Sequence, residues 1–372
     1  MPYNYAIVSA LFLPHTGGVE NFTDSLSDAL ARRGNHVTVV TSRLSLTDPE
    51  VETLDNGVRV LRLPSYTFLG GRLPIIKRNK RYRQLYDSLT SCAFDRVLVN
   101  TRFYSLSIEG LRIASAAGCS AVVLDHGSDY LTLGNPISDA LIRLYEHVMT
   151  KRVKSFHPRF AGISKKSCEW LGTFGINAST VIPNAIDTRS FRECSTGRDF
   201  RKELTLRNSR KIVSFIGRLT PEKGAEQLVA AAKMLENECS VLLAGNGWLR
   251  NAILDLSVPN VHLLGNLSRG DVSALLSQSD AFCLPTRSEG FCTALLEAAA
   301  WGVPCVVPDV GGVEEVFGVE QEGVILLDCL EPASISEGIR AALSMQRAEP
   351  DNARNSWDAT VDAVENAFGS MG

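Results

Sequence analysis

The segment between Asp280 and Gly312 restricts the fold of this chain more than any other part of the sequence. Its hydrophobic pattern predicts a strand at Ala281–Leu284, a helix at about Phe291–Trp301 and a second strand at Pro304–Val307. A helix between two buried strands forms a βαβ unit, and such a unit belongs in a parallel sheet. Strand and helix patterns alternate along the rest of the chain as well, so the whole sequence predicts an α/β fold.

Two acidic residues stand out in this segment, because Glu297 is the only charge between Glu289 and Asp309. A carboxylate is costly to bury unless a partner compensates it. The helix N-terminus beside Gly290 offers N–H groups and partial positive charge, which suit a phosphate. Glu289, just outside the helix, can accept hydrogen bonds from sugar hydroxyls, and Glu297 can hold a ribose diol. Alternatively, Glu297 faces solvent and Glu289 is an ordinary loop acid.

The flanking residues favour the ligand-binding interpretation. The run EGFCTALLEAAAWGVP from Glu289, followed by PDVGGVEEV from Pro308, resembles the nucleotide-sugar motif of retaining glycosyltransferases of family 4. The two acids, the glycine, the aromatic residue and Gly-x-Pro all fall at matching spacings. The resemblance extends over nearly the whole chain. It implies the GT-B fold, in which two Rossmann-like domains face each other across a cleft.

Composition is compatible with two soluble domains. The chain has 372 residues, and its net charge of −3 gives no basic field for nucleic acid. Nine scattered cysteines without a C-x-x-C pair indicate a reducing compartment, with neither a disulfide framework nor a zinc site. The apolar run Tyr5–Leu13 lacks a basic leader and is interpreted as a first strand, and no apolar stretch is long enough to span a membrane. We therefore expect a cytoplasmic protein.

The expected domain boundaries follow from the resemblance and from the polar linker. Residues 1–185 are predicted to form an acceptor-side domain and residues 186–347 the nucleotide-sugar domain. Residues 348–372 are expected to contain a helix that packs back on the first domain, with Trp357, Val361, Val364 and Phe368 on its apolar face. The polar stretch 187–210 is interpreted as a linker, and Pro183–Asp187 as a hinge in which Ala185 replaces the usual glycine of the family.

Three groups of residues in the first domain are candidates for ligand contact. Gly17 and Gly18 precede a helix and let the backbone approach another molecule closely; the resemblance assigns them to the diphosphate and acceptor, although a plain turn would also use them. His126 follows a buried strand within Asp125-His126-Gly127, where open α/β sheets place ligands. The resemblance makes His126 a contact of the transferred sugar, and Asp125 could orient its imidazole.

The third group is basic. Between Asn56 and Tyr86 there are eight basic residues and no acid, and six of them crowd into the segment 72–83. This segment is predicted to enter an amphipathic helix that ends near Ser91. It is either a solvated helix face or a surface for an anionic partner, such as a membrane leaflet or a lipid diphosphate. The residues assigned to this surface are Arg72, Lys77, Arg78, Lys80 and Arg81.

In the second domain, Arg218 and Lys223 flank a strand-to-helix loop, where two cations can neutralise a departing diphosphate. They match the family pattern G-R-x-x-x-x-K-G, although a surface loop would also carry such charges. By resemblance, Gly245 and the pair Asn266-Leu267 line the nucleotide site. The complete donor set also includes residues of the first segment: Glu289, Gly290, Phe291, Cys292, Thr293 and Glu297.

The expected reaction is transfer of a hexose or N-acetylhexosamine from a nucleoside diphosphate sugar, UDP more than GDP, to a glycan or lipid-linked acceptor. His126, Arg218, Lys223 and Glu289 would carry the chemistry, and the resemblance implies retention of configuration. No Asp-x-Asp motif occurs, so we expect neither a metal nor another cofactor. The alternatives are a nucleotide-sugar epimerase of the same fold and a non-catalytic two-domain sugar-binding protein. A dinucleotide oxidoreductase is disfavoured, because the glycine fingerprint around Gly245 is incomplete.

Overall fold

The computed structural model describes residues 2–132 and 135–369, and these form two compact units. The first unit comprises the residues up to Asn184 together with the C-terminal residues from Trp357, and the second comprises Ala185–Ser356. Each unit is an α/β structure with its own sheet and its own buried apolar core. None of the described helices is both long and apolar enough to cross a bilayer.

Nine strands form the sheet of the first unit among the residues that the structure describes. They are β1 Asn4–Ser9, β2 His36–Arg43, β3 Val51–Thr53, β4 Arg59–Phe68, β5 Leu73–Ile76, β6 Arg96–Asn100, β7 Ser120–Asp125, β8 Arg159–Gly162 and β9 Thr180–Val181. Their order is β3-β4-β2-β1-β6-β7-β8-β9, and β5 pairs with β4. All pairs are parallel except β3–β4 and β4–β5. The strand order reverses beside β1, and ligands of open α/β sheets bind at such a switch point.

In the described part of this unit, five helices connect these strands. They are α1 Gly18–Arg32, α2 Lys80–Thr90, α3 Ser105–Ala117, α4 Pro136–Lys154 and α5 Lys165–Leu171. Short 3₁₀ turns lie at Leu69–Gly71 and Gly172–Phe174. Ser164 caps α5, because its hydroxyl oxygen accepts a hydrogen bond from the Ser167 N–H at 3.2 Å.

The prediction of one helix through the basic segment is wrong. Residues 73–76 form β5, which pairs with β4 as an antiparallel hairpin, and α2 begins only at Lys80. The side chain of Asn79 caps this helix by accepting from the Tyr82 N–H at 2.8 Å. Burial alternates along Leu73–Ile76, with Pro74 and Ile76 buried, but all four residues are apolar, so the sequence carries no period-2 pattern that would predict a strand.

The second unit has a sheet of six parallel strands in the order β12-β11-β10-β13-β14-β15. The strands are β10 Lys211–Ile216, β11 Cys239–Ala244, β12 Val261–Gly265, β13 Ala281–Cys283, β14 Cys305–Pro308 and β15 Val324–Leu327. The helices are α6 Thr188–Glu193, α7 Phe200–Glu203, α8 Ala225–Met234, α9 Arg250–Asp255, α10 Arg269–Gln278, α11 Thr293–Ala300, α12 Val313–Phe317 and α13 Pro332–Ser344. The βαβ unit expected around α11 is confirmed, and the strand order reverses between β10 and β13.

The stretch that was interpreted as a linker is part of the second unit's packed structure. It contains the short helices α6 and α7, and Phe191 and Phe200 are fully buried. Asp187 and Asp199 cap these helices by accepting from backbone N–H groups three residues later. Helices of one or two turns leave too little periodicity to be recognised among so many polar residues.

The C-terminal helix, α14 Trp357–Phe368, packs within the first unit. Val361 and Val364 on its apolar face are fully buried. The guanidinium of Arg33, just after α1, forms ion pairs with Asp358 and Asp362 on the outer side of α14. The contacts therefore tie the end of the chain to the helix that follows β1.

Candidate functional site

The candidate residues of the second unit follow the two strands at its switch point. The loop after β10 contains Arg218 and Lys223, and the loop after β13 contains Glu289. Because β10 and β13 are parallel neighbours, their carboxyl ends lie at the same edge of the sheet. Residues that are more than 60 positions apart in sequence therefore lie together where α/β sheets bind ligands.

Lys223 and Glu289 form an ion pair, and both side chains are largely buried at 16% exposure. Their loops are joined by backbone and side-chain hydrogen bonds: the carbonyl of Glu222 accepts from the Arg287 N–H at 2.8 Å and from the Thr286 hydroxyl at 3.0 Å. Gly224 permits this approach, because its φ is +71° and a Cβ there would collide with the carbonyl oxygen of Pro285. The structure thus brings these two predicted residues together.

Arg218 is the other cation of this loop, and its side chain is exposed. Within the described ranges, 2–132 and 135–369, it has no ion pair. The pKa of the Glu222 carboxyl is held below its usual value mainly by hydrogen bonding, and the positive charges of Arg218 and Lys223 add to this effect. Arg218 therefore keeps its charge available at the mouth of the loop.

The glycine predicted after β11 allows close contact between loops. Gly245 has a φ of +137°, and a Cβ there would collide with the carbonyl oxygen of Gly217. Its N–H donates to the carbonyl of Gly265 at 2.7 Å, which connects the loop to the end of β12. Asn266 and Leu267 follow directly, with Asn266 exposed and Leu267 half-buried. These three predicted residues lie along the carboxyl ends of β11 and β12.

The loop that enters α11 corrects one part of the sequence interpretation. The N–H of Cys292 was expected to bind phosphate, but it donates to the carbonyl of Gly311 at 2.9 Å. The side chain of Cys292 is buried, and burial raises the pKa of its thiol. Gly290 and Phe291 are half-buried, and Thr293 is exposed at the first position of the helix. The N–H of Cys292 is therefore used within the loop itself, and the residues of this loop that can face a ligand are Gly290, Phe291 and Thr293.

Glu297 lies one helical turn after Thr293 on the same face of α11. It is half-buried, and it makes no hydrogen bond or ion pair with any residue that the structure describes. Burial raises the pKa of its carboxyl from 4.5 to about 7, and the charge of Arg269 offsets part of that effect. An acid with no partner of its own is suited to receive hydroxyl groups from a ligand.

In the first unit, Gly17 and Gly18 lie at the start of α1, the helix that follows β1. A Cβ on Gly17 would collide with the carboxylate of Glu20, which folds back over the helix N-terminus. Gly18 faces open space. Burial raises the pKa of the Glu20 carboxyl, so an acid occupies the position where the sequence suggested anion binding. Gly17 thus lies beneath the carboxylate of Glu20, and Gly18 is the accessible member of the pair.

His126 follows β7, as predicted, but its partner is not Asp125. The Nε2 atom of His126 lies 3.0 Å from Oδ1 of Asn100, at the end of β6. Asp125 is fully buried and receives two hydrogen bonds, at 2.7 and 2.8 Å, from one Nη of Arg102. The idea that Asp125 orients the imidazole is therefore wrong: the arginine competes successfully for the carboxylate because it supplies a full charge.

Arg102 was missed at the sequence level. It is 1% exposed and links Asp125 to Glu146 of α4, whose carboxylate accepts at 2.7 Å. Glu146 also accepts from the N–H of Leu131 at 3.1 Å, so the network extends to the segment after His126. No local sequence motif predicts this network, because Asp125 and Glu146 lie 23 and 44 residues from Arg102.

The basic surface is only partly available. Arg78 pairs with the buried Glu109, and Arg81 pairs with Glu50. Arg72, Lys77 and Lys80 are exposed and have no ion pair within the described part of the chain. Two of the five cations assigned to an anionic partner therefore serve the fold itself.

An exposed apolar stripe on α4 was not expected. Ile137, Leu141, Leu144 and Val148 are 57–75% exposed, and their spacing of four, three and four residues places them on one face of the helix. We call these four residues the α4 stripe. Exposed Lys151 and Arg152 follow them on the same helix, with no ion pair within the described ranges.

Helix α4, which carries the stripe, shares a cavity with the β4–β5 hairpin through residues outside the stripe. Leu69 and Leu73 of the hairpin and Ile142 of α4 line one apolar cavity of about 280 Å³, together with Phe103. The tip of the hairpin exposes further large apolar side chains, which are Tyr66, Phe68 and Leu69. The apolar surface and the cation Arg72, at the edge of the same cavity, therefore belong to one region of the first unit.

Comparison with known proteins identifies both units. A family model described as "Glycosyltransferase Family 4" matches residues 16–190, and one described as "Glycosyl transferases group 1" matches residues 197–360. A GDP-mannose-dependent alpha-mannosyltransferase of Mycolicibacterium smegmatis is 27% identical over 89% of this chain and 87% of its own length. A human phosphatidylinositol N-acetylglucosaminyltransferase subunit is 25% identical over 98% of this chain and 76% of its own. An Escherichia coli UDP-Gal:alpha-D-GlcNAc-diphosphoundecaprenol alpha-1,3-galactosyltransferase is 26% identical over 75% and 73%.

Solved structures are similar over nearly the full length. Sucrose-phosphate synthase from Thermosynechococcus elongatus has a TM-score of 0.68 at 19% identity and covers 98% of this chain and 95% of its own. Anabaena HepE, solved in complex with UDP and glucose, has a TM-score of 0.65 at 16% identity, with 97% and 95% coverage. At these identities the likeness concerns the fold, which is GT-B.

Proposed function

This chain belongs to glycosyltransferase family 4, and from that premise we propose that it transfers a hexose or N-acetylhexosamine from a nucleoside diphosphate sugar to a glycan or lipid-linked acceptor. The observation that carries the proposal is the meeting of Lys223 and Glu289 at the switch point of the second sheet, with Arg218 on the same loop. A cation for phosphate and an acid for sugar hydroxyls are the two groups that such a donor needs at adjacent positions.

We assign the donor diphosphate to Arg218 and Lys223. The bond that breaks is a glycosyl phosphate, so the main chemical demand is to stabilise negative charge on the leaving group. Two fixed cations meet that demand, and Lys223 is held in place by Glu289 before the donor arrives. On binding, the phosphates replace Glu289 as the partner of Lys223, and the carboxylate becomes free to accept hydroxyls of the donor sugar.

We assign the ribose of the donor to Glu297 and the transferred sugar to His126. Glu297 has no partner of its own among the described residues, and a diol would supply two hydrogen-bond donors. We further propose retention of configuration, which the family resemblance implies, by front-face attack in which a donor phosphate oxygen takes the proton of the acceptor.

Two donor bases are candidates. A UDP donor is supported by the E. coli relative, whose name specifies UDP-Gal, and by the solved HepE complexes. A GDP donor is supported by the M. smegmatis relative and by similar mannosyltransferases of Mycobacterium tuberculosis and Corynebacterium glutamicum. A panel of radiolabelled UDP- and GDP-sugars, each tested for donor hydrolysis and thermal shift, decides between them. A stabilising shift with GDP-mannose alone would overturn our preference for UDP.

The same panel tests the reaction class. A transferase releases the nucleoside diphosphate faster when acceptor is present, and the label moves into a product that extracts with the acceptor. An epimerase would convert the donor at the same rate without acceptor, and a sugar-binding protein would consume no donor. Either result, obtained with a donor that shifts the melting temperature, would refute the transferase assignment.

We further propose peripheral contact with an anionic membrane through the basic surface and the α4 stripe. A helix with an apolar outer face and flanking cations is suited to lie in the membrane interface. Cations near a leaflet contribute about 1 kcal/mol each through attraction to acidic lipids. The names of the human and E. coli relatives both specify a lipid acceptor, which supports the same location.

Vesicle sedimentation tests this contact. We expect binding to vesicles that contain phosphatidylglycerol, and loss of most of it in the double variant Leu141→Glu, Leu144→Glu. Lys80→Glu should weaken binding mainly at low salt, because it removes only an electrostatic contribution. Val319→Glu, at an 84% exposed position of the second unit, is the matched control. Equal binding by the double variant and this control would refute the contact.

A further inference from the structure

A single chain of hydrogen bonds connects α1, β6 and the imidazole of His126. The hydroxyl of Thr23 donates to the carbonyl of Val19 at 2.7 Å. The Nδ2 group of Asn100 donates to the oxygen of that hydroxyl at 2.8 Å. The Oδ1 atom of Asn100 lies 3.0 Å from Nε2 of His126. Thr23 is fully buried and Asn100 is 1% exposed, so these links are shielded from water.

The direction of this chain is fixed at its far end. A backbone carbonyl can only accept, so the Val19 oxygen takes the only proton of the Thr23 hydroxyl. The Thr23 oxygen can then only accept from Asn100, and this places the NH₂ of the amide toward Thr23. The carbonyl oxygen of Asn100 must therefore face His126, and a carbonyl oxygen can be bonded only by an N–H. It follows that Nε2 of His126 carries the proton.

We propose that Asn100 is a positioning residue that holds His126 as the neutral Nε2–H tautomer, so that Nδ1 presents a lone pair to a hydroxyl of the transferred sugar. The assignment of the tautomer stands on the structure of the first unit alone. Its role toward the sugar rests on the proposed function. The Nδ1 atom makes no hydrogen bond with the residues that the structure describes, so this acceptor is not used by the fold.

The surroundings of the ring favour the neutral form. The edge of the Phe22 ring packs against the imidazole with centroids 5.0 Å apart. The neighbouring carboxylate of Asp125 is engaged by Arg102. Burial lowers the pKa of His126 to about 3. A neutral imidazole that carries its proton on Nε2 can accept a hydrogen bond at Nδ1 but cannot donate one there. This position therefore selects for a sugar hydroxyl, which can donate that hydrogen bond.

This series of hydrogen bonds predicts a specific role for Thr23, whose hydroxyl is connected to His126 through Asn100. Without its hydroxyl, the Asn100 amide has no fixed orientation and can turn its NH₂ toward the imidazole. Nε2 would then have to accept, and the proton would move to Nδ1. The isosteric variant Thr23→Val should therefore change the tautomer of a histidine to which its hydroxyl is connected only through Asn100.

Nitrogen-15 NMR of the six histidines reads the tautomer directly, and the His126→Gln variant assigns the signal. We expect the Nε2–H pattern for His126 between pH 5.5 and 8 in the protein without donor. We expect mixed tautomers in Thr23→Val and Asn100→Leu. Thr150→Val is the matched control. Thr150 is also buried in a helix, and its hydroxyl donates to the backbone carbonyl of Glu146, four residues earlier, at 2.7 Å. An Nδ1–H pattern in the parent protein would overturn the tautomer assignment, and an unchanged Nε2–H pattern in Thr23→Val and Asn100→Leu would overturn the positioning role of Asn100.

Kinetics test the role toward the sugar separately. Loss of one neutral hydrogen bond corresponds to about a five- to tenfold fall in kcat/KM. A series of deoxy-sugar donors first identifies the hydroxyl that His126 contacts. We expect Thr23→Val to lower kcat/KM with the donor that carries this hydroxyl but not with the donor that lacks it. If Thr23→Val changes the tautomer but kcat/KM is unaltered with every donor, the sugar contact is refuted. If no donor is turned over by the parent protein, the proposed function fails while the tautomer result stands.

Discussion

Replacement of Glu297 by glutamine should make the protein more stable while weakening donor binding. Burial holds the pKa of this carboxyl at about 7, against 4.5 for an unperturbed glutamate. The folded state therefore binds the proton more tightly than the unfolded state does. Stability from this group is fully present below the unfolded pKa and is lost as the pH rises through about 7.

The magnitude follows from the two pKa values. A difference of about 2.5 pKa units corresponds to about 3 kcal/mol at pH 8.5, where the folded protein must carry the buried charge. At pH 5 the same relation gives a loss of stability of only about 1 kcal/mol, because the carboxyl of the folded protein is then protonated. Glutamine has nearly the shape of the protonated acid and carries no charge. Glu297→Gln should thus raise the free energy of unfolding by up to about 3 kcal/mol at pH 8.5 and by about 2 kcal/mol less at pH 5.

Urea unfolding of parent and variant at the two pH values measures this difference. Glu289→Gln is the matched control, because that variant loses an ion pair with Lys223 and should not gain stability at high pH. In the activity assay, Glu297→Gln should raise the donor KM, since an amide replaces one acceptor of the ribose diol by a donor. A variant that is less stable than the parent at pH 8.5 would show that Glu297 has a stabilising partner, and our account of the site would be refuted.

Three further predictions concern the charged groups. Lys223→Ala should lower kcat by about two orders of magnitude, by analogy with the loss of one oxyanion donor; a change below about threefold in steady-state assays would remove it from the phosphate site. Full activity after dialysis against a chelator is expected, because Arg218 and Lys223 supply the positive charge; loss of activity that Mg²⁺ restores would contradict this. Arg102→Met should reduce the free energy of unfolding by about 3–5 kcal/mol, because it leaves Asp125 and Glu146 buried without their cation; a loss below about 1 kcal/mol by urea unfolding would show that the two acids take up protons or other partners at little cost.

Much of the fold could be predicted from the sequence because most of its elements are long and regular. Buried parallel strands such as Arg96–Asn100 and Cys239–Ala244 contain uninterrupted apolar runs, Val97–Val99 and Val241–Ala244, and the helices between them have clear ends. The exceptions are short or edge elements. The hairpin strand Leu73–Ile76 and the helix Phe200–Glu203 each contain only four residues, and their packing comes from distant parts of the chain.

The candidate residues of the two units differ in how far the sequence predicts them. In the second unit the cations, acids and glycines lie in local motifs, because each loop between a strand and a helix must itself make the turn that exposes its charges. Gly224 illustrates this, since its backbone conformation and the approach of Pro285 leave no room for a side chain. The pairing of Lys223 with Glu289 was not predicted, because it depends on two loops meeting at neighbouring strand ends.

In the first unit the residues that govern His126 are scattered, and no pattern of spacing connects them. Asn100 and Arg102 lie on either side of Thr101, near the end of β6, yet they serve different partners: Asn100 binds the imidazole and Arg102 binds Asp125. From the sequence, Asp125 was the natural partner for an adjacent histidine. A guanidinium buried beside it removes that possibility, because two hydrogen bonds from a full charge outweigh one from a neutral ring. The imidazole is then left to an amide, which fixes its proton without charging it. The choice of partner, more than the presence of the histidine, determines what this ring can do.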